Sequence, residues 1–403
     1  MTRSQLPWRG ALLALSVAVV TAVAVLATQL LTLNTAPGGT AYAATAIDPP
    51  LKPGENPLYA IRDVLARQSA ALLRGDRAAY LRTDPGAGER FDSLTALHVR
   101  QFALTPMGIP SQSGDVWKVP VEIRYCFGAE DCTPTPLLVD TEWSVERGRP
   151  KLARFEQTDR PWDGPLTVKD GTRVTVAAAP SVPPAILDRV LSAAETATRV
   201  DDKVAKSFDG PPRRYLVYVA GNQEWKRWYD ENAENSAAYT IPLQPGTSDV
   251  VVDQRSADSD IRTTTLLIHE FAHVVTLGGI APPLGAWWLY EGIAEYVSNG
   301  DGSALRTDLP SIRAYLAAGK WDGTVALGPP PAGTTVQDNL ARYGLALLAV
   351  SYLAEHYGEA KMFAFFTQVV RKRATLEAAS QSVFGTDWPT VSKGAAAAIR
   401  AAA

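Results

Sequence analysis

Two histidines that enclose a glutamate constrain this chain more than any other feature. His269, Glu270 and His273 lie in the run TLLIHEFAHVV, in a chain that has only four histidines. Residues four apart on an α-helix project from one face, so the imidazoles would lie side by side with the Glu270 carboxylate at the edge of that face. The run 261–277 is compatible with a helix, and two glycines follow it. This H-E-x-x-H pattern is typical of zinc sites with a glutamate base; a hydrogen-bonded pair of core histidines is the alternative.

A catalytic zinc needs a third protein ligand, because its fourth position must stay open for water. No histidine follows His273 at a short spacing, and His356 is too remote in the sequence. The run WWLYEGIAEY supplies Glu291, which is separated from His273 by the 17 residues 274–290. Glu295 follows Glu291 by one helical turn on a second predicted helix. Sequence spacing alone leaves open which of the two glutamates is the ligand.

The motifs HEFAH and WLYEGIAEY, and less specifically ARYGLALL, resemble those of the gluzincins. These are peptidase MA-like zinc peptidases whose third ligand is a glutamate in a W-L-x-E-G-x-A context. The resemblance covers the chain from about residue 164 onwards. It implies one Zn²⁺ per chain, held by His269, His273 and Glu291. It also implies that Glu295 hydrogen-bonds the other ring nitrogen of His269, although an exposed helix charge is the alternative.

The resemblance further implies roles for individual side chains. Glu270 would take a proton from a zinc-activated water and pass it to the leaving amine, and Tyr343 would stabilise the oxyanion. Tyr352, His356 and Tyr357 stay open as alternatives for that hydrogen-bond donor. Gly292, next to Glu291, would let the second helix approach the first closely.

The segment SDVVVDQ, just before the first motif, is expected to be an edge strand that pairs with an extended peptide, or else an ordinary structural strand. The predicted activity is therefore zinc-dependent hydrolysis of peptide bonds. The G-x-M-E-N segment with which the aminopeptidase branch holds a free amino group is absent, so an endopeptidase is preferred over an aminopeptidase. The alternative function is a binding or scaffold protein at the cell surface that kept the zincin fold after its activity lapsed. The intact set of motif residues weighs against that alternative.

The first 33 residues indicate export. The uncharged run GALLALSVAVVTAVAVLATQLLTL follows Arg3 and Arg9 and is long enough to cross roughly 30 Å of hydrocarbon as a helix. The arginines before it place the N-terminus in the cytoplasm and the body outside. Residues 1–33 are predicted to be a membrane-spanning signal anchor, or a signal peptide cleaved near Ala43, which would release a secreted protein. Cys126 and Cys132 are predicted to form a disulfide in that oxidising compartment, with a two-cysteine zinc site as the alternative.

The remaining chain is predicted to have an α+β fold with two domains. Residues 34–56 are rich in Pro, Gly, Ala and Thr and indicate a flexible linker. Residues 57–160 combine amphipathic helices with alternating strands and resemble the NTF2-like domains. Residues 161–403 would form a zincin-like catalytic domain with a small sheet, the HExxH helix and a mostly helical C-terminal part. The net charge of -3 gives no basic field, so we expect no nucleic-acid partner.

Overall fold

The computed structural model describes residues 50–52, 55–128, 132–230, 236–300, 302–331 and 333–403. The predicted membrane segment at 1–33, the Ala43 cleavage site and most of the linker at 34–56 lie outside these residues. Within them, no helix is both long enough and apolar enough to cross a membrane. The described chain from residue 50 onwards forms one compact unit of mixed α and β structure.

The first part of the unit consists of three helices and an antiparallel sheet. The helices are α1 (Leu58–Leu73), α2 (Arg77–Leu81) and α3 (Gly88–Ala96), and the strands are β1 (Val99–Pro106), β2 (Ser111–Ser113), β3 (Val116–Phe127), β4 (Thr135–Glu146) and β5 (Arg149–Phe155). The strand order is β1-β3-β4-β5, with β2 also paired to β3. Alternate residues of β3 are buried, as expected for a sheet with one covered face. At the end of β3, Cys126 forms a disulfide with Cys132, and their Cα atoms are 6.1 Å apart.

The second sheet corrects the prediction for SDVVVDQ. Its strands are β6 (Thr167–Asp170), β7 (Val174–Ala178), β8 (Tyr215–Ala220), β9 (Ala238–Gln244) and β10 (Thr247–Asp253), in the order β6-β7-β8-β10-β9. The SDVVVDQ strand, β10, pairs with β8 on one side and β9 on the other, so the edge-strand prediction is wrong. Its central valines are fully buried, which is typical of an interior strand. The edge strand next to β10 is β9, which contains Pro242, a residue that an edge strand tolerates.

The helices of the second part begin between the strands and continue to the C-terminus. They are α4 (Pro184–Val204), α5 (Asp260–Leu277), α6 (Trp287–Ser298), α7 (Ser303–Ala317), α8 (Val336–Tyr357), α9 (Glu359–Phe366), α10 (Leu376–Phe384) and α11 (Trp388–Ala402). The helix predicted for 261–277 is confirmed, since α5 differs from it by one residue. Gly278 ends α5 in the left-handed conformation, with a φ of 59°, which only glycine adopts easily.

The buried apolar side chains form two clusters. One contains residues of both sheets together with one face of α5, and the other joins α6 and α8 to the C-terminal helices. Trp162, next to the predicted domain boundary, is fully buried in the first cluster, and its ring lies 4.9 Å from that of Tyr125. One core therefore crosses residue 160. The division into domains at 57–160 and 161–403, and the NTF2-like resemblance of the first, stay predictions.

Gly292 allows α6 to approach α8, and the expectation that it brings α6 to α5 is wrong. A Cβ atom built at Gly292 would lie 2.6 Å from the carbonyl oxygen of Ala346 and 2.7 Å from Cγ2 of Val350, both on α8. Gly292 is one residue past Glu291, so it lies about 100° further round the helix and faces a different neighbour. The close backbone contact thus fixes α6 on a different side from the one that carries Glu291.

We expect Gly292→Ala to lower the free energy of unfolding by about 1–3 kcal/mol, because the new methyl group meets backbone that cannot move aside easily. Gly285→Ala is the matched control, since a Cβ at Gly285 has no atom within 4 Å; its effect should stay within about 0.5 kcal/mol. Urea denaturation followed by circular dichroism measures both values. Equal stability of the two variants would contradict the proposed α6–α8 contact.

Candidate metal centre

Helices α5 and α6 supply the predicted ligand residues. On α5, Phe271 stacks on Tyr215 of β8, with ring centroids 4.2 Å apart, which holds the helix against the second sheet. His269 and His273 lie on another face of α5, one turn apart, and Glu291 of α6 lies opposite them. All three side chains are at least 86% buried, because their exposed fractions are 14, 8 and 12%. The packing of two helices, one of them fixed on a sheet, therefore determines the geometry of the group.

Three atoms of these side chains form a nearly equilateral triangle. The Nε2 atoms of His269 and His273 are 3.2 Å apart, and Oε2 of Glu291 lies 3.2 Å from the first and 3.3 Å from the second. Two ligands of a tetrahedral zinc, each roughly 2.0–2.1 Å from the ion, are about 3.3 Å apart. Among the described residues, these three side chains form a cluster that could hold a metal ion. Its donor set and spacing fit zinc with one position open.

A second carboxylate fixes the orientation of His269. Oε1 of Glu295, one turn after Glu291 on α6, lies 3.2 Å from Nδ1 of His269. An Nδ1–H that donates to this carboxylate leaves the Nε2 lone pair directed into the triangle, and a carboxylate partner makes the imidazole a stronger ligand. His273 has no such support, because its buried Nδ1 has no hydrogen-bond partner in the described part of the chain.

The electrostatics of the triangle favour a cation. Burial alone would raise the pKa of Glu291, but the imidazoles of His273 and His269 outweigh burial and lower it to about 2. Burial alone would lower the pKa of His269, but the carboxylates of Glu291 and Glu295 raise it well above its usual range. A carboxylate and two imidazoles therefore hold positive charge between them, which a divalent metal ion would supply.

Glu270 lies beside the triangle and is oriented by a residue that the sequence did not single out. The hydroxyl of Thr240, on the edge strand β9, is 2.7 Å from Oε2 of Glu270 and donates to it. The same hydroxyl oxygen is 3.1 Å from the Glu270 carbonyl oxygen, so one side chain contacts both ends of the residue. Burial raises the pKa of Glu270, while the two imidazoles and the Thr240 hydroxyl oppose that rise. Glu270 is a buried carboxylate with one oxygen held and the other available.

Tyr343 on α8 is the predicted oxyanion donor that lies near this group. Its ring centroid is 6.3 Å from that of His269 and 5.0 Å from that of Trp287. Burial, followed by the charges of three nearby glutamates, raises its pKa well above the usual range, so its hydroxyl keeps its proton. The alternative oxyanion donors lie further along α8. Tyr352 stacks on His356, and Tyr357, the last residue of α8, stacks on Phe384 of α10.

Sequence reasoning missed two neighbours of the site. Thr240 is separated from Glu270 by the rest of β9, all of β10 and the start of α5, and only the strand order brings it close. Tyr290, whose ring centroid lies 5.9 Å from that of His273, is adjacent to Glu291 in WWLYEGIAEY. Tyr290 could have been found from the sequence, because it is next to the expected ligand Glu291. No local sequence pattern marks Thr240.

Comparisons with known proteins find matches only among solved structures. No family model and no curated protein matches the chain. Among solved structures, a variant of a two-domain M1 zinc metallopeptidase bound to L-arginine is 11% identical, with a TM-score of 0.34, over 75% of this chain and 65% of that one. An M1 zinc metallopeptidase from Deinococcus radiodurans is 13% identical, with a TM-score of 0.34, over 76% of this chain and 60% of that one. This chain spans less than two thirds of either structure, and the metal centre rests on its own geometry.

Proposed function

We propose that this protein is a zinc-dependent peptidase that acts outside the cytoplasm. The observation that carries the proposal is the triangle of two imidazole nitrogens and one carboxylate oxygen, 3.2 to 3.3 Å apart, with the buried Glu270 carboxylate beside it. His269, His273 and Glu291 would hold one Zn²⁺ per chain. When bound, the zinc supplies a water of lowered pKa and polarises the carbonyl of the peptide bond.

Glu270 acts as general base and then as general acid. It takes a proton from the attacking water and passes it to the amine that leaves, which requires a carboxylate fixed within hydrogen-bond reach of both. The hydrogen bond from Thr240 to Oε2 holds the carboxylate in one orientation and leaves Oε1 for the proton. Tyr343, which keeps its proton, donates a hydrogen bond to the oxyanion as it forms.

The edge strand β9 is the proposed docking strand for the substrate. Within the described chain it pairs with no strand other than β10, so an extended peptide could pair along its other side. Thr240 lies on this strand, which connects the docking edge directly to Glu270. The seven residues of β9, AYTIPLQ, contain no acidic side chain that would hold a free amino group, and this favours an endopeptidase.

A scaffold protein without activity is the second candidate for this fold. It would need no general base, yet Glu270 is buried at the site with a dedicated hydrogen bond, a costly arrangement for a carboxylate that does nothing. The expected membrane segment at 1–33 would place either protein on the outer side of the membrane. Hydrolysis by the purified protein separates the two candidates.

The first prediction concerns the two glutamates of α6. Glu291→Ala should abolish tight zinc binding, because it removes one side of the triangle, whereas Glu295→Ala should weaken affinity or activity by only about 10- to 100-fold. Zinc content after dialysis against a weak chelator measures the difference, with the exposed Glu89→Ala as the control that keeps its zinc. If Glu295→Ala loses the metal and Glu291→Ala keeps it, the two roles are exchanged.

The second prediction concerns the reaction itself. Glu270→Gln should keep about one zinc per chain but lower kcat by roughly 10²- to 10⁴-fold, because only the proton transfer is lost. The substrates are a peptide library with free N-termini and the same library with acetylated N-termini, and products are identified by mass spectrometry. An endopeptidase cleaves both libraries, and a strong chelator stops it. Wild-type rates in Glu270→Gln, or no cleavage by the zinc-loaded wild type, would contradict the peptidase.

Cleavage of the free library alone would show an aminopeptidase. Glu231 and Glu234, which precede β9 in the sequence, would then be the residues to replace by alanine in search of the amino-group partner.

The third prediction tests Thr240. Thr240→Val keeps the shape of the side chain but removes the hydroxyl, so kcat should fall by about tenfold or more, with little change in KM or zinc content. Thr240→Ser restores the donor and should recover most of the rate. Unchanged kcat in Thr240→Val would show that Glu270 needs no such support.

A further inference from the structure

Three apolar side chains are exposed at one end of the first sheet. Ile109, in the loop between β1 and β2, is 90% exposed, and Met107 in the same loop is 37% exposed. Tyr59, in the first turn of α1, is 72% exposed. The loop has a proline on each side, Pro106 and Pro110, which restrict its backbone and reduce the entropy that it would lose on contact with a partner. Single exposed apolar residues are common on proteins, so what matters is the position that these three share.

The strand register places the loop near the start of β3. The amide of Met107 donates to the carbonyl oxygen of Pro120, near the start of β3. The start of β3 lies beside the end of β4, because Trp117 is paired with Trp143. The turn between β4 and β5, which contains Gly148, follows at that same end of the sheet. The exposed loop and the β4–β5 turn therefore belong to one end of the sheet.

The described chain begins at this end. The amide of Leu51 donates to the carbonyl oxygen of Gly148 at 2.8 Å, and a Cβ built at Gly148 would lie 2.5 Å from Cβ of Pro50. Tyr59 follows Leu51 by only eight residues, so it lies near the same turn. Residues 34–49 separate Pro50 from the membrane segment expected at 1–33, and a chain of this length spans at most about 55 Å. If residues 1–33 cross a membrane as expected, this end of the sheet lies within that reach of it.

The same end is positively charged, although the whole chain has a net charge of -3. The segments 50–63, 107–118 and 144–152 contain six cationic and four acidic side chains. The cations, all exposed, are Lys52, Arg62, Lys118, Arg147, Arg149 and Lys151, and the acids are Glu55, Asp63, Asp115 and Glu146. Apolar and aromatic side chains surrounded by cations are typical of protein surfaces that bind anionic lipid.

We propose that this end of the first sheet contacts a membrane surface that carries anionic phospholipid. Ile109 and Met107 insert at the boundary of the acyl chains, Tyr59 lies among the headgroups, and Arg147 and Arg149 contact the phosphates. Such a small surface binds a bilayer weakly by itself, but the expected tether keeps the two at a high effective concentration, so weak contacts suffice to orient the protein. The proposal does not depend on the proposed peptidase activity.

The test uses the full chain reconstituted into vesicles of phosphatidylcholine and phosphatidylglycerol. Ile109→Cys carries a bimane fluorophore, while Cys126 and Cys132 stay unlabelled because they form a disulfide. A spin label on the lipid acyl chains quenches only a fluorophore that comes close to those chains. We expect the fluorescence of labelled Ile109→Cys to fall by about half or more. Ile261→Cys is the matched control, since Ile261 is an 82% exposed isoleucine at the start of α5, and its label should stay bright.

Two further variants complete the test. Met107→Cys replaces Ile109→Cys if the latter does not fold, as judged by circular dichroism. Glutamate at both Arg147 and Arg149 should reduce the quenching at Ile109→Cys by about twofold or more, because the attraction to anionic lipid is lost.

Equal quenching at Ile109→Cys and Ile261→Cys would overturn the proposal, and unchanged quenching after the two arginines are replaced would overturn its electrostatic part. A label at Ile109→Cys that neither the lipid spin label nor aqueous iodide reaches would also overturn it, because a protein surface would then cover the loop.

Discussion

Two imidazole nitrogens and a carboxylate oxygen, 3.2 to 3.3 Å apart, are the contact on which the interpretation of this molecule depends. When each imidazole directs the lone pair of its Nε2 atom into the triangle, all three atoms are acceptors, so their lone pairs repel unless a proton or a metal ion lies between them. Protons on the two Nε2 atoms could satisfy the two edges that meet at the carboxylate oxygen but would leave the two N–H groups facing each other along the third edge, whereas a tetrahedral cation satisfies all three edges at once. Because the group is buried, leaving these polar atoms without a proton or cation between them would cost free energy.

The fold holds the triangle by fixing each helix on a different support. The second sheet supports α5 through apolar side chains, and α8 supports α6 through the close approach that Gly292 permits. The edge strand β9 then reaches Glu270 through Thr240. The histidine pair and the proposed base on α5, the carboxylate ligand on α6 and the supporting Thr240 on β9 thus come from three elements whose positions depend on two cores. Rigid support of this kind is what a preorganised site requires.

Local spacing predicted what lies within one helix, and failed where the contact depends on strand order or helix rotation. The extent of α5 and its glycine end followed from the sequence, and the structure brings Glu291 and Glu295 to His269 at the offsets expected of one helical face. The edge strand was assigned wrongly, because a short valine run does not show on how many sides it is paired. Thr240 could not be found, since its partner lies 30 residues away and β10 separates them.

X-ray absorption at the zinc edge of the purified wild-type protein tests the central claim most directly. The account predicts about one zinc per chain, with two imidazole nitrogens and only oxygen ligands besides, all at roughly 2.0–2.2 Å, and no sulfur. A protein that retains no zinc after purification without chelator, or a zinc shell that contains sulfur or a third imidazole, would contradict it.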